Sequence, residues 1–82
     1  MNQLNTFWSD PEFSDSEKDY IAKQFGMLGS FRTALYELIY TADEFNLAKI
    51  AIIFPNEVAT YLNWTQGDLA TRIRTKYPEI LL

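Results

Sequence analysis

Residues 30–54 read SFRTALYELIYTADEFNLAKIAIIF. The stretch holds much of the apolar mass of the chain and has no Gly or Pro until Pro55 closes it. At 100° per residue, its first half sets Phe31, Leu35, Leu38, Ala42 and Phe45 on one stripe, with Ala34 and Ile39 at the edges. Tyr36 and Tyr40 fall on roughly the opposite side, with Thr33, Glu37 and Glu44 between. A helix with two usable faces touches neighbours on both, so this stretch is expected to be the central element of a helical domain.

Its second half is nearly all apolar from Leu47 to Phe54 apart from Lys49. Lys49 to Phe54 has strand propensity, but no second strand-like run exists to pair with it, so a buried helix, kinked or restarted near Asn46, is expected. Pro55 ends that helix, because proline disfavours helical geometry in the residue before it, and is well placed to open the next.

Outward from the centre, helix signals recur. Ser14-Asp15-Ser16-Glu17 has capping-box spacing, and Asp15, Glu17 and Asp19 suit the positive end of a helix that stops near Gly26. Ser30 is the expected cap of the central helix. After Pro55, Val58, Tyr61 and Leu62 share a face, and Thr65-Gln66-Gly67 reads as a turn with Thr65 or Asp68 as cap. Leu69, Ala70, Ile73 and Tyr77 give the last helix its apolar side, and Pro78 stops it. The expectation is an all-α, small compact bundle of four to five short helices near 15–25, 31–45, 47–54, 56–63 and 68–77. Residues 1–13 are expected as an N-terminal arm whose order the sequence leaves open, and 14–82 as the single helical domain. Phe7, Trp8 and Phe13 in the arm either fold back over the core or anchor a partner.

Composition narrows the chemistry. Eighty-two residues fit one domain, with 48% apolar and 16% aromatic residues to build a core. There is no Cys and no His, so the chain has no thiolate nucleophile, no sulfur ligand and no imidazole acid–base group. Asp43 and Glu44 are sequence neighbours and do not share a helix face, which makes them a poor acid–base pair. The acidic residues Asp10, Glu12, Asp15, Glu17 and Asp19 lack the order of a calcium loop, and Gly26 to Ser30 lacks the spacing and Lys of a phosphate loop. No enzyme, cofactor or metal site is expected. No signal peptide or membrane span is read either, so the setting is expected to be cytoplasmic.

Net charge is −4, with five acidic groups in residues 1–20 against Lys18 alone. The rest balances, and Arg72, Arg74 and Lys76 gather near the end of the last helix. An acidic start and a basic finish argue against nonspecific binding to nucleic acid over the whole surface. The basic cluster is the candidate contact for nucleic acid, for an acidic protein, or for residues 10–19 of another copy in a head-to-tail pair. Trp8, Tyr36, Tyr40, Ile80, Leu81 and Leu82 are the candidate protein interface, with the two tyrosines one helical turn apart as a rigid anchor pair.

Two stretches of the chain resemble known families. Thr65-Gln66-Gly67-Asp68-Leu69-Ala70, with Ile73 beyond, resembles the Thr-Gln-x-x-Leu-Ala opening of the first helix in phage-repressor-type helix-turn-helix domains. That resemblance implies a following helix that reads the major groove. Here Arg74 stands where the turn Gly belongs and Pro78 interrupts the second helix, so the match reads as a shared capping and packing pattern. The segment 31–64, with Ala42-Asp43, Asn46-Leu47 and Phe54-Pro55-x-Glu57-Val58, resembles small uncharacterised proteins carried by bacterial phages and other mobile elements. It implies a bacterial or phage setting and carries over no site residues. The expected function is noncatalytic: a protein–protein interaction or accessory protein, self-association included, whose partner is another protein or a second copy. The alternative is a small nucleic-acid-binding regulator using the C-terminal basic helix.

Overall fold

The computed structural model describes residues 3–81, and every regular element among them is a helix. In order these are α1 (Gln3–Trp8), α2 (Asp15–Gln24), α3 (Ser30–Thr41), α4 (Glu44–Ile53), α5 (Pro55–Gln66) and α6 (Leu69–Lys76). The all-helical expectation holds, and the count exceeds it by one.

The additional helix is α1, in the segment expected as an arm. Six residues are too few for helix propensity to carry, so its support is tertiary. Phe7 and Phe13 are buried, with ring centroids 5.1 Å apart, and Phe7 meets Tyr77 edge-on at 5.6 Å.

Local chemistry sets the other ends. Ser14 and Glu17 form the capping box at the start of α2: the Glu17 N–H donates to Ser14 Oγ, and the Ser14 N–H to Glu17 Oε1. Gly26, at φ 68°, ends that helix, with the Gly26 N–H reaching Lys23 O and the Met27 N–H reaching Ala22 O. That pair of bonds is a Schellman closure, and the left-handed residue it needs is the glycine. Gly29 rather than Ser30 stands at the N-cap of α3. Phe54 ends α4 and opens α5 at once, with Pro55 at the first helical position.

The long central stretch is two helices, and the break falls at Ala42-Asp43 rather than Asn46. Asp43 Oδ1 accepts the Asn46 N–H at 2.8 Å and caps α4. This cap resets the helical phase and detaches Phe45 from the stripe drawn through Phe31 and Leu38. The residues that α3 buries are Leu35, Tyr36 and Ile39. Leu47–Ile53 is helical as expected but not buried, and Phe54 is the cap beyond it: no residue of α4 is fully enclosed.

The organising element is therefore α5, against which α2, α3, α4 and α6 all pack. It serves two apolar clusters. One gathers Phe7, Phe13, Ile21, Leu69, Ile73, Tyr77 and Ile80, with Trp64 packed against it; the other gathers Leu35, Tyr36, Ile39 and Val58, with the inner side of α4 against it. Tyr20 spans them, touching Tyr36 edge-on at 5.4 Å and Trp64 at 5.3 Å. Arg32 bonds Asp19 at 2.8 Å and Glu57 at 3.2 Å, tying α3 to α2 and α5. Two clusters side by side make an elongated body of 42 × 26 × 22 Å. Its radius of gyration, 12.9 Å, exceeds the ~12 Å of a compact chain this size.

Candidate functional site

The basic cluster is folded against the acidic start of the chain. Lys76 Nζ lies 2.7 Å from Asp10 Oδ2 and 3.1 Å from Glu12 Oε1. The Tyr77 hydroxyl donates to the same Asp10 oxygen at 2.6 Å, and the Glu12 N–H donates to Asp10 Oδ1 at 2.9 Å. The Lys76 ammonium, the Tyr77 hydroxyl and that backbone N–H hold the Asp10 carboxyl well below the usual carboxylate range. Asp10 and Glu12 push Lys76 up in turn, and the bond to Asp10 pushes Tyr77 up. Arg72 lies over the Phe13 ring at 5.2 Å, with Glu17 at 3.5 Å. Arg74 is exposed and makes no ion pair among the described residues.

The charge complementarity offered as a head-to-tail contact between copies is thus satisfied within one copy. Arg72 and Lys76 close the chain on itself, and Arg74 is left as a single outward cation. The helix-turn-helix comparison fails on geometry as well. Thr65 and Gln66 close α5 instead of opening a helix, and the Thr65 hydroxyl donates back to Tyr61 O at 3.0 Å. α6 starts at Leu69, where Asn63 Oδ1 accepts the Asp68 N–H, and no helix follows it among the described residues.

The proposed tyrosine anchor pair is divided. Tyr36 is buried with its hydroxyl donating to Ser16 O at 3.0 Å, and burial pushes its phenol up. It is a core residue and cannot present itself to a partner. Its position on the helix, one step from Leu35, brings it within the arc facing α2 and α5. Tyr40 is exposed, with its ring 6.5 Å from that of Tyr61. Ile80 is buried, Trp8 and Leu81 are half-buried against the first cluster, and Leu82 lies outside the described residues. The aromatic lead-in and the tail are thus spent largely on the core.

What remains open is a face on α3 and α4. Phe31 is 69% exposed, Leu38 55%, Phe45 71% and Ile52 82%, with Ile53 also exposed. α4 has two apolar sides. Leu47, Ile50 and Ala51 lean on the second cluster, whereas Phe45, Ala48 and Ile52 point away from it. An all-round apolar helix is ordinarily enclosed on all sides, and here the body of the protein encloses only one. The two helices meet along a groove: Phe31 and Phe54 rings stand 6.3 Å apart at one end, and Leu38, Asn46, Lys49 and Ile50 line a space of about 420 Å³ between them. Lys49 Nζ sits 4.4 Å from the centroid of the Phe45 ring.

The sequence placed Phe31, Leu38 and Phe45 on the correct kind of surface, an apolar one, but assigned it to the interior. Phe45 and Ile52, at i and i+7, were the legible sign of a second stripe on α4. Polar grooves elsewhere offer less: the one along Ser14, Asp15, Asn56, Thr60 and Asn63 follows the capping box of α2. No group of three or more potential metal-ligating side chains converges among the described residues. None of their helices is long and apolar enough to cross a membrane. No family model matches the chain, and no curated protein or solved structure matches it.

Proposed function

We propose that this chain is a noncatalytic protein-interaction module that docks through the outer face of α4 and the adjoining flank of α3. The observation that carries the reading is α4 itself, which is apolar on all sides and encloses no residue. Leaving Phe45, Ile52 and Ile53 in water forfeits burial worth roughly 1.5–3 kcal/mol for each side chain. Five large apolar residues left exposed on two adjacent helices mark a protein contact. Support also comes from the rest of the surface, where Arg72 and Lys76 are drawn to internal carboxylates and so weaken the nucleic-acid alternative.

Site-specific photo-cross-linking tests this. A benzophenone amino acid replaces Phe45 in the full chain, and a second preparation carries it at Arg74. Irradiation in extract of the native source is expected to give a discrete protein adduct from position 45, a self-adduct included, and only background from position 74. Equal background from both positions would overturn the reading.

A further inference from the structure

We infer that the occupant of the α4 face is a second copy of this chain, paired in parallel about a two-fold axis that runs along the helix. The inference rests on the docking reading above and specifies its partner. The outer face of α4 has coiled-coil spacing: Phe45 and Ile52 are seven apart with Ala48 between, the a-d-a positions of a heptad. Glu44 precedes the first a position and Lys49 follows d, which makes them g and e. In a parallel pair, g of one helix faces e of the other five residues on. Glu44 of each copy therefore meets Lys49 of the other, and the symmetry makes two such pairs.

In the antiparallel alternative that sets Phe45 against Ile52, the axis passes between positions 48 and 49. That brings the two Lys49 ammonium groups to the same flank at the axis, so like charges meet where the copies are closest. Neither Glu44 nor Lys49 has an ion pair among the described residues, so both are available for the contact. Ala48 at the d position lets the backbones approach. Phe45 and Ile52 at the a positions and Ala48 at d are all exposed, so the whole seam is open to the contact. Self-pairing also explains why α4 is apolar on both sides: one side faces α5, and the other faces its own image.

The test uses the absence of native cysteine. Ile52→Cys introduces the sole thiol at a position that faces itself across a parallel axis and lies about 10 Å along the helix from itself in the antiparallel register, beyond the reach of a disulfide. In a glutathione redox buffer this variant is expected to form a covalent dimer, whereas Arg74→Cys stays monomeric. Glu44→Lys and Lys49→Glu are each expected to weaken the dimer about tenfold, and the double swap Glu44→Lys/Lys49→Glu to restore it. Helical circular dichroism confirms that each variant is folded. A dimer that leaves Ile52→Cys unlinked, or a double swap no tighter than the single reversals, would overturn the parallel pairing. A chain that keeps a single-copy mass while position 45 still captures another protein would overturn the self-pairing and leave the docking reading standing. A chain with neither would remove both.

Discussion

Two phenylalanines in this chain, Phe7 and Phe45, are equally apolar and have opposite roles. Phe7 is 0% exposed, with the rings of Trp8, Phe13 and Tyr77 around it, and Phe45 is 71% exposed. Phe7→Ala removes a fully buried ring and leaves a cavity that α1, only six residues long, is poorly able to refill. Such truncations cost about 3–5 kcal/mol. A chain this size has a total stability of about 4–12 kcal/mol, so the variant loses roughly a quarter of it or more. In urea, at a slope of about 1 kcal/mol/M, the midpoint falls by roughly 3–5 M; in a thermal scan the loss is on the order of 20 °C. Phe45→Ala in the monomer shifts stability by less than about 0.5 kcal/mol. Any larger effect at position 45 must grow with protein concentration, because it belongs to assembly and not to folding. Tryptophan fluorescence follows both, since Trp8 lies beside Phe7 and Trp64 packs on the same cluster. A Phe7→Ala midpoint within 0.5 M of wild type would refute the placement of α1 in the core, and a concentration-independent loss at Phe45 would refute its exposure.

Other expectations follow from single contacts. The Asp10 carboxyl is held low in the folded chain, so its contribution to stability is present above the ordinary aspartate pKa and drains as pH falls below about 4. Asp19, raised by burial, slopes the opposite way and cancels in the difference between wild type and Asp10→Asn; that difference in urea midpoint is expected to shrink from pH 6 to 2, and a constant difference would contradict the contacts of Asp10 with Lys76 and Tyr77. Tyr36→Phe deletes a buried donor and costs about 1 kcal/mol by urea titration, whereas Tyr40→Phe is silent. Asp43→Ala removes the cap of α4 and costs about 1 kcal/mol; an unchanged midpoint would mean that the break between α3 and α4 is held by other means.

Much of the fold was readable because it is written in short-range chemistry. The Ser14–Glu17 box, the closure at Gly26, the Phe54-Pro55 junction and the stop at Pro78 all act within a few residues. Asn46 and Asp43 show the limit of that reading. Both are plausible caps, and only the phase demanded by Leu35, Tyr36 and Ile39 packing on α5 selects Asp43. Phe7 lay outside any periodic run, so its burial depended on Tyr77 and Leu69 at the far end of the chain, which local pattern does not reach. The site was legible as chemistry and not as location. An apolar stripe looks the same in sequence whether its own chain or another molecule covers it, so Phe31, Leu38 and Phe45 were assigned to the core and Tyr36 to the surface. The acidic start and basic finish were seen to be complementary, but complementarity does not say whether two charges meet within a molecule or between molecules. Distance settles it, at 2.7 Å from Lys76 to Asp10.

The outer face of α4 is where this chain either pairs with itself or does not. Light scattering across a concentration series, on the wild-type chain and on Ile52→Lys, measures it most directly. The wild type is expected to rise from 9.6 kDa toward twice that mass, and Ile52→Lys to stay at the single-chain mass with unchanged helicity. A wild type that remains a single chain throughout, or a dimer that Ile52→Lys leaves intact, would contradict self-pairing through α4.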